Sequence, residues 1–197
     1  MRDLMRSVCV FAGSGQGNDS AYREVARALG HELGRRGITM VYGGGRIGLM
    51  GVAADAALAA NGEVVGVIPE QLAAAELAHE GVSQLHVVGS MHERKALMEQ
   101  LSGGFVALPG GFGTMDELFE ILTWGQLGIH QKPVGLLNVS GYYDALLAWI
   151  DRAVRDGLVH AMHRGLFCVA AEPAQLLAAM TRHVPPPIHP ALTRHET

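Results

Sequence analysis

Only two of the 197 residues are cysteines, Cys9 and Cys168, and each stands in an apolar run. Buried thiols are therefore expected rather than a disulfide framework. Charged residues are sparse at 17%, the formal net charge is −4, and the arginines are scattered along the chain. Such a balance lacks the basic footprint of a nucleic-acid binder. The apolar run near the N-terminus extends for about six residues before glycines intervene, too few for a signal-peptide core or a membrane span. A cytoplasmic protein with no membrane partner is the expectation. Among ten histidines there is no H-E-x-x-H, no H-x-H and no Cys/His cluster, and the closest pair, His160 and His163, has no evident third ligand. No metal site is expected, and the absence of G-x-S-x-G argues against a serine hydrolase.

What the chain has is apolar residues, 49% of the total, enough for one substantial core and with no signature of disorder. Short β-branched runs at Ser7–Phe11, Thr39–Tyr42, Val64–Ile68, Leu85–Val88, Phe105–Leu108, Val134–Leu137 and Leu166–Val169 read as strands. Helical patterns fall between them, at roughly 20–35, 48–61, 90–102, 114–127, 142–156 and 173–183. Near-continuous apolar strands alternating with helices predict an α/β, Rossmann-like, doubly wound parallel sheet with helices on both faces. One domain is expected over residues 1–183, with an extended Pro-containing tail over 184–197. Apolar helix stretches such as Ala53 to Ala60 suggest a surface for self-association.

In such a fold every strand-to-helix turn reaches the carboxyl edge of the sheet, where ligands bind. Four glycine-bearing turns converge there: Gly13-Ser14-Gly15-Gln16-Gly17, Gly43-Gly44-Gly45-Arg46-Ile47-Gly48, Gly89-Ser90 and Pro109-Gly110-Gly111-Phe112-Gly113. Ser14, Gly44 and Gly45 are candidate substrate contacts on that ground. Gly43, Gly45 and Gly48 also satisfy G-x-G-x-x-G, but the acid about twenty residues on, Glu63, precedes its strand, whereas a ribose-binding acid belongs at the carboxyl end. A nicotinamide or flavin cofactor is not expected. The stretch LPGGFGTMDEL, Leu108 to Leu118, joins a strand to a helix through a phosphate-sized glycine turn, and phosphate binds well at the positive end of a helix dipole.

Two capping boxes are readable. Ser90-Met91-His92-Glu93 places Arg94 and Lys95 in the first two turns of a helix, where they are either solvated surface charges or cations facing an anion. Thr114-Met115-Asp116-Glu117 casts Thr114 as a cap, so Glu117 either completes the box or stands as a carboxylate beside the glycine loop.

The run PGGFGTMDE fits P-G-G-x-G-T-x-x-E, and with Met91-His92-Glu93-Arg94-Lys95 it resembles the LOG family, the cytokinin riboside 5′-monophosphate phosphoribohydrolases, often labelled lysine decarboxylases. The resemblance covers about residues 7 to 180 and includes Val41–Gly45 with Gly48–Gly51, Thr123–Pro133, and Leu136-Leu137-Asn138 with Gly141-Tyr142-Tyr143. It implies cofactor-free hydrolysis of the N-glycosidic bond of a purine nucleoside 5′-monophosphate, AMP or N6-prenylated AMP, to free base and ribose 5-phosphate. Arg94 and Glu117 match the family's catalytic pair. Lys95, the loop formed by Gly110, Gly111, Phe112, Gly113 and Thr114, Thr123, and Glu76 match its substrate-binding positions, and a homodimer is implied. Gly15 stands where the family's first turn has a second serine, and Gly103 where it has an aspartate. A decarboxylase using pyridoxal phosphate would need a Schiff-base lysine, and the chain has only Lys95 and Lys132. The alternative kept open is a non-catalytic nucleotide sensor of the same fold.

Overall fold

A computed structural model of the chain describes residues 5–73 and 78–187. Seven strands, β1 (Ser7–Phe11), β2 (Thr39–Tyr42), β3 (Val64–Pro69), β4 (Gln84–Val88), β5 (Phe105–Ala107), β6 (Val134–Leu137) and β7 (Phe167–Ala170), form one sheet in the order β4-β3-β2-β1-β5-β6-β7. All six pairings are parallel, from Val65 beside Gln84 at one edge to Leu137 beside Ala170 at the other. This is the expected Rossmann-like α/β sheet. The inner strands are buried on both faces, which is why their sequences are unbroken apolar runs. The edge strand β4 departs from that rule: Leu85 and Val87 are exposed.

The chain steps outward from β1 to β4, then returns to β5 on the other side of β1. Right-handed crossovers consequently put α1 and α2 of the first half and the crossover helices of the second half on opposite faces, with the C-terminal helix returning to the first face. One face carries α1 (Ser20–Arg35), α2 (Gly48–Ala59) and α7 (Pro173–Arg182) over a core that includes Val8, Val10, Leu29, Leu33 and Leu176. The other carries α4 (Met91–Gln100), α5 (Phe112–Gln126) and α6 (Asp144–Arg155) over Cys9, Phe11, Met98, Phe105 and Leu118. A short helix that the sequence did not announce, α3 (Glu70–Ala73), follows β3 directly. Residues 183–187 carry no regular structure.

Helix α1 opens on Asp19, whose Oδ1 accepts from the Ala21 N–H at 2.9 Å, and closes with Arg35 in its last turn. It lies almost backbone to backbone on α2. A Cβ on Gly30 would sit 2.0 Å from the Ala53 carbonyl oxygen, and one on Gly34 2.6 Å from that of Ala57. Ala53, Ala54 and Ala57 are fully buried, so one side of the alanine-rich stretch serves this internal helix contact, while Ala59 on the other side is exposed.

Candidate active site at the carboxyl edge

The strand order reverses between β1 and β5, so their following loops diverge to opposite faces and leave a crevice at the carboxyl edge. Three glycine loops meet there. The Gly13 N–H donates to the Pro109 carbonyl at 3.2 Å, tying the loop after β1 to the loop after β5. The Leu49 N–H donates to the Gly13 carbonyl at 3.0 Å, tying the same loop to the start of α2. Gly48 is obligatory at that junction, because its φ is +68° and a Cβ would stand 2.2 Å from the Ser14 carbonyl oxygen. Ser14 itself is exposed on the crevice rim, beside Gly15, whose missing side chain would face open space.

The loop after β5 is built differently from its sequence reading. Helix α5 begins at Phe112 with Gly111 as the N-cap residue, and Thr114 is its third residue, buried. A Cβ on Gly110 would fall 2.0 Å from Thr114 Oγ1, so the threonine packs beneath the glycine turn rather than capping the helix. The Thr114–Glu117 capping box is thus corrected. Glu117 is the sixth helical residue, beyond reach of the cap position, and its structural alternative falls away. With a glycine at the cap, no side chain covers the first-turn N–H groups of Phe112, Gly113 and Thr114, which have no partner within the helix and sit at its positive end. The space before Gly111 and Gly113 is open, and Phe112 is 97% exposed.

Two side chains that sequence reasoning did not assign to the site hold this loop from behind. Tyr143 donates its hydroxyl to the Leu108 carbonyl at 2.6 Å, and Tyr142 donates to the Gly110 carbonyl at 2.5 Å. Burial pushes the Tyr143 hydroxyl well above the usual phenol range, with Tyr142 adding to the effect. The sequence signals were the pair's place in the family-like run Gly141-Tyr142-Tyr143 and its position just after β6, next to the loop in the sheet order.

Arg94 enters from α4. Ser90 caps that helix, its Oγ accepting from the Glu93 N–H at 3.2 Å, while Glu93 reaches back to the Gly89 N–H at 2.9 Å. Arg94 is only 5% exposed, and its charge is met by carbonyl oxygens: Nε donates to Val67 at 3.2 Å and Nη2 to Gly43 at 3.0 Å. A Cβ on Gly43 would lie 1.9 Å from Nη2, so the guanidinium occupies the space a side chain would take. Lys95, beside it, bridges to Asp116 at 3.2 Å and Glu120 at 3.0 Å on α5. Burial tends to lower the lysine's pKa, but the carboxylates of Glu120 and Asp116 outweigh it and raise the value overall. Neither cation is a solvated surface charge.

Glu117 is half-buried on α5 and lines a small crevice together with Phe11, Lys95, Glu99 and Glu120. Cys9 registers both functional charges. Its thiol pKa is pushed up, first by burial and next by the negative charge of Glu117, with Arg94 acting in the opposite direction. Arg94 on α4 and Glu117 on α5 belong to helices packed on the face of the sheet that buries Cys9.

Of the residues picked from sequence, Ser14, Gly44, Gly45, Arg94, Lys95, Gly110 to Thr114 and Glu117 gather at this edge. Gly44 and Gly45 are buried beneath a returning segment: the His79 N–H donates to the Gly44 carbonyl at 2.9 Å, and Gly45 bridges to Ala78. Thr123 is not gathered. It lies nine residues beyond Thr114, about 13 Å along the helix, and its hydroxyl donates to the Phe119 carbonyl at 2.7 Å. Glu76 lies outside the described residues. Glu63 is at the amino edge, bonded to Thr39 and Gln84, as the argument against a dinucleotide required. Gly103 donates its N–H to the Ser7 carbonyl and hydroxyl, both at 3.0 Å, and so joins β1 without a side chain. Among the described residues, no three His, Cys, Asp or Glu side chains are grouped to hold a metal ion.

A doubly wound parallel sheet with three glycine loops, a buried Arg94 and a half-buried Glu117 at the carboxyl edge of its switch point defines the Rossmann-like class. A family model described as "possible lysine decarboxylase" matches residues 50–180. A probable cytokinin riboside 5′-monophosphate phosphoribohydrolase of Oryza sativa subsp. japonica is 52% identical over 180 residues, covering 91% of this chain and 79% of the relative. A cytokinin riboside 5′-monophosphate phosphoribohydrolase of Arabidopsis thaliana is 47% identical over 184 residues, covering 93% and 86%. The chain belongs to this phosphoribohydrolase family. Among solved structures, the molybdenum cofactor binding protein of Rippkaea orientalis has a TM-score of 0.68 at 23% identity, covering 90% of this chain and 96% of its own. The Chlamydomonas reinhardtii molybdenum cofactor carrier protein gives 0.68 at 24%, covering 90% and 97%. At those identities the likeness is one of fold alone.

Proposed function

We propose that the protein hydrolyses the N-glycosidic bond of purine nucleoside 5′-monophosphates, AMP or its N6-prenylated form, releasing free base and ribose 5-phosphate. The observation that carries this reading is the placement of Glu117 three residues beyond Thr114, about 4.5 Å along the helix, so that one element offers both an anion-binding N-terminus and a carboxylate. A 5′-phosphate on the N–H groups of Gly110 to Thr114 sets the ribose against that carboxylate. Cleavage passes through an oxocarbenium-like state, which a fixed carboxylate stabilises while it orients or deprotonates the attacking water. Arg94 has up to five N–H donors, and its bonds to Val67, Gly43 and Met91 engage three of them. Its permanent charge stands over the same face of the sheet as the Glu117 carboxylate.

Decarboxylation through a Schiff base is the poorer reading. Lys95 is bound by two carboxylates, and Lys132 Nζ donates to both the carboxylate and the carbonyl of Glu99, so both amines are engaged by acceptors rather than presented to a substrate carbonyl. The deciding experiment is incubation with AMP and with isopentenyladenosine monophosphate, reading free base by chromatography. Glu117→Gln should lower turnover at least about 100-fold and keep AMP binding. A wild-type protein that binds both nucleotides and releases no base is a sensor, and the reading fails.

The active form is proposed to be a cytoplasmic homodimer. Both cysteines are free thiols, as suits a reducing compartment. The outer surfaces of α5 and α6 expose Phe119 and Trp149, in edge-to-face contact at 5.7 Å, an apolar pair suited to a symmetric interface. No helix among the described residues is long and apolar enough to cross a membrane.

A further inference from the structure

Three successive carbonyls lead into the glycine turn after β5, and each is held by a donor, two from the adjacent Tyr142 and Tyr143 and one from the loop after β1. Tyr143 Oη holds that of Leu108 at 2.6 Å, the Gly13 N–H that of Pro109 at 3.2 Å, and Tyr142 Oη that of Gly110 at 2.5 Å. The peptide bonds here are trans, and in a planar trans peptide the N–H points opposite to the carbonyl of the preceding residue. Fixing the Pro109 carbonyl therefore aims the Gly110 N–H, and fixing the Gly110 carbonyl aims the Gly111 N–H, away from its holder. The Gly111 side is the open one: a Cβ there would meet nothing within 4 Å.

The Gly110–Gly111 peptide is also the one in this loop with a glycine on both sides. Such a peptide plane rotates with little steric penalty, since neither flanking residue has a Cβ to restrict it. In one orientation it presents an N–H to the crevice, and in the other a carbonyl, which repels an anion. We propose that Tyr142 is a positioning residue that locks this peptide plane with its N–H facing the crevice, and so sets the affinity for the phosphate of the substrate. The proposal rests on the phosphate-binding role given to this loop above. Tyr142 is itself braced edge-to-face by Tyr22 at 5.5 Å and by Tyr143 at 5.1 Å, so the hydroxyl is delivered by a packed ring rather than a loose side chain. Tyr22 belongs to the first turns of α1, behind Gly17, so the brace ties the lock to the loop after β1 as well.

Tyr142→Phe removes the hydroxyl and keeps the ring contacts. Titrations with ribose 5-phosphate and with inorganic phosphate, read by calorimetry and by the amide resonance of Gly111, should show dissociation constants raised about fivefold, the effect of one hydrogen bond. The thermal midpoint should fall by no more than about 2–4 °C, and the affinity for unphosphorylated adenosine should not change. Unaltered phosphate affinity in the variant overturns the lock. Equal weakening toward phosphate, ribose 5-phosphate and adenosine assigns Tyr142 a general structural role and overturns it also. A wild-type protein that binds neither phosphate probe refutes the cradle and the lock together, whereas intact phosphate binding without hydrolysis refutes only the proposed reaction.

Discussion

Replacing Gly43 by alanine isolates the position of one guanidinium. Gly43 does not adopt left-handed backbone, so alanine introduces no conformational strain of its own. Its methyl carbon, however, would fall 1.9 Å from Arg94 Nη2, where nonbonded contact needs about 3.5 Å. The guanidinium must retreat by roughly 1.5 Å, which carries it out of bonding range of the Gly43 carbonyl, now at 3.0 Å, and misaligns the bond to Val67. Losing one charge-assisted bond from a buried cation costs about 2–3 kcal/mol. For a chain of this size that lowers the thermal midpoint by roughly 5–10 °C. Displacing a group that acts beside the reacting bond by more than an ångström should lower turnover about 100-fold. Calorimetric unfolding and base release from AMP, measured on the same preparation, read the two effects. A Gly43→Ala protein with wild-type turnover would show that the location of Arg94 is irrelevant to the chemistry, and the catalytic assignment of Arg94 would fall with it.

Two further expectations concern stability and assembly. The carboxyl of Glu32 is held at about 2 rather than 4.5, chiefly by its hydrogen bond to Arg35 and then by Arg36. Its charged form is stabilised in the folded chain, so the contribution is complete above pH 4.5 and disappears as the pH falls toward 2. Because Arg35 is largely exposed, the contribution is about 1 kcal/mol, and Glu32→Gln should melt a few degrees lower at pH 7 with the gap closing in acid. A gap as large at pH 2.5 as at pH 7 would contradict the ion-pair account. Phe119→Glu places a charge in the proposed dimer face and should yield monomers by sedimentation at micromolar concentration; an unchanged dimer would move the interface elsewhere.

Strand positions were legible in the sequence because the interior of a parallel sheet is buried on both faces. Ser7–Phe11, Thr39–Tyr42 and Val134–Leu137 begin and end where their β-branched runs meet glycine or polar turns. Arg94 and Glu117 were legible through motifs, since their spacing from Ser90 and from the glycine turn is local. The misreadings share a different cause. Thr114 fits a capping pattern, yet the helix starts two residues earlier, because Gly111 takes the cap position with main chain alone. That one side of Ala53 to Ala60 packs inward follows from Gly30 and Gly34, more than twenty residues earlier, which the apolar run does not record. Tyr142 and Tyr143 act on carbonyls 32 and 35 residues away in sequence, a relation that only the sheet order reveals. Thr123 shares a helix with the glycine turn but not its end, and a linear motif does not record that separation.

The seam between α1 and α2 carries a consequence for the crevice on the far edge of the sheet. Both helices begin at loops that touch, the Ser14 carbonyl against Gly48, and they are pressed together further along, at Gly30 nearly three turns into α1 and at Ala53 between one and two turns into α2. Two rods fastened along their length move their tips as one. A methyl group at position 30 or 34 would act as a wedge, prising the rods apart and opening a gap between loops that no mutated atom touches. The width of the nucleotide crevice is thus gauged by hydrogen atoms on glycines buried one layer away from it.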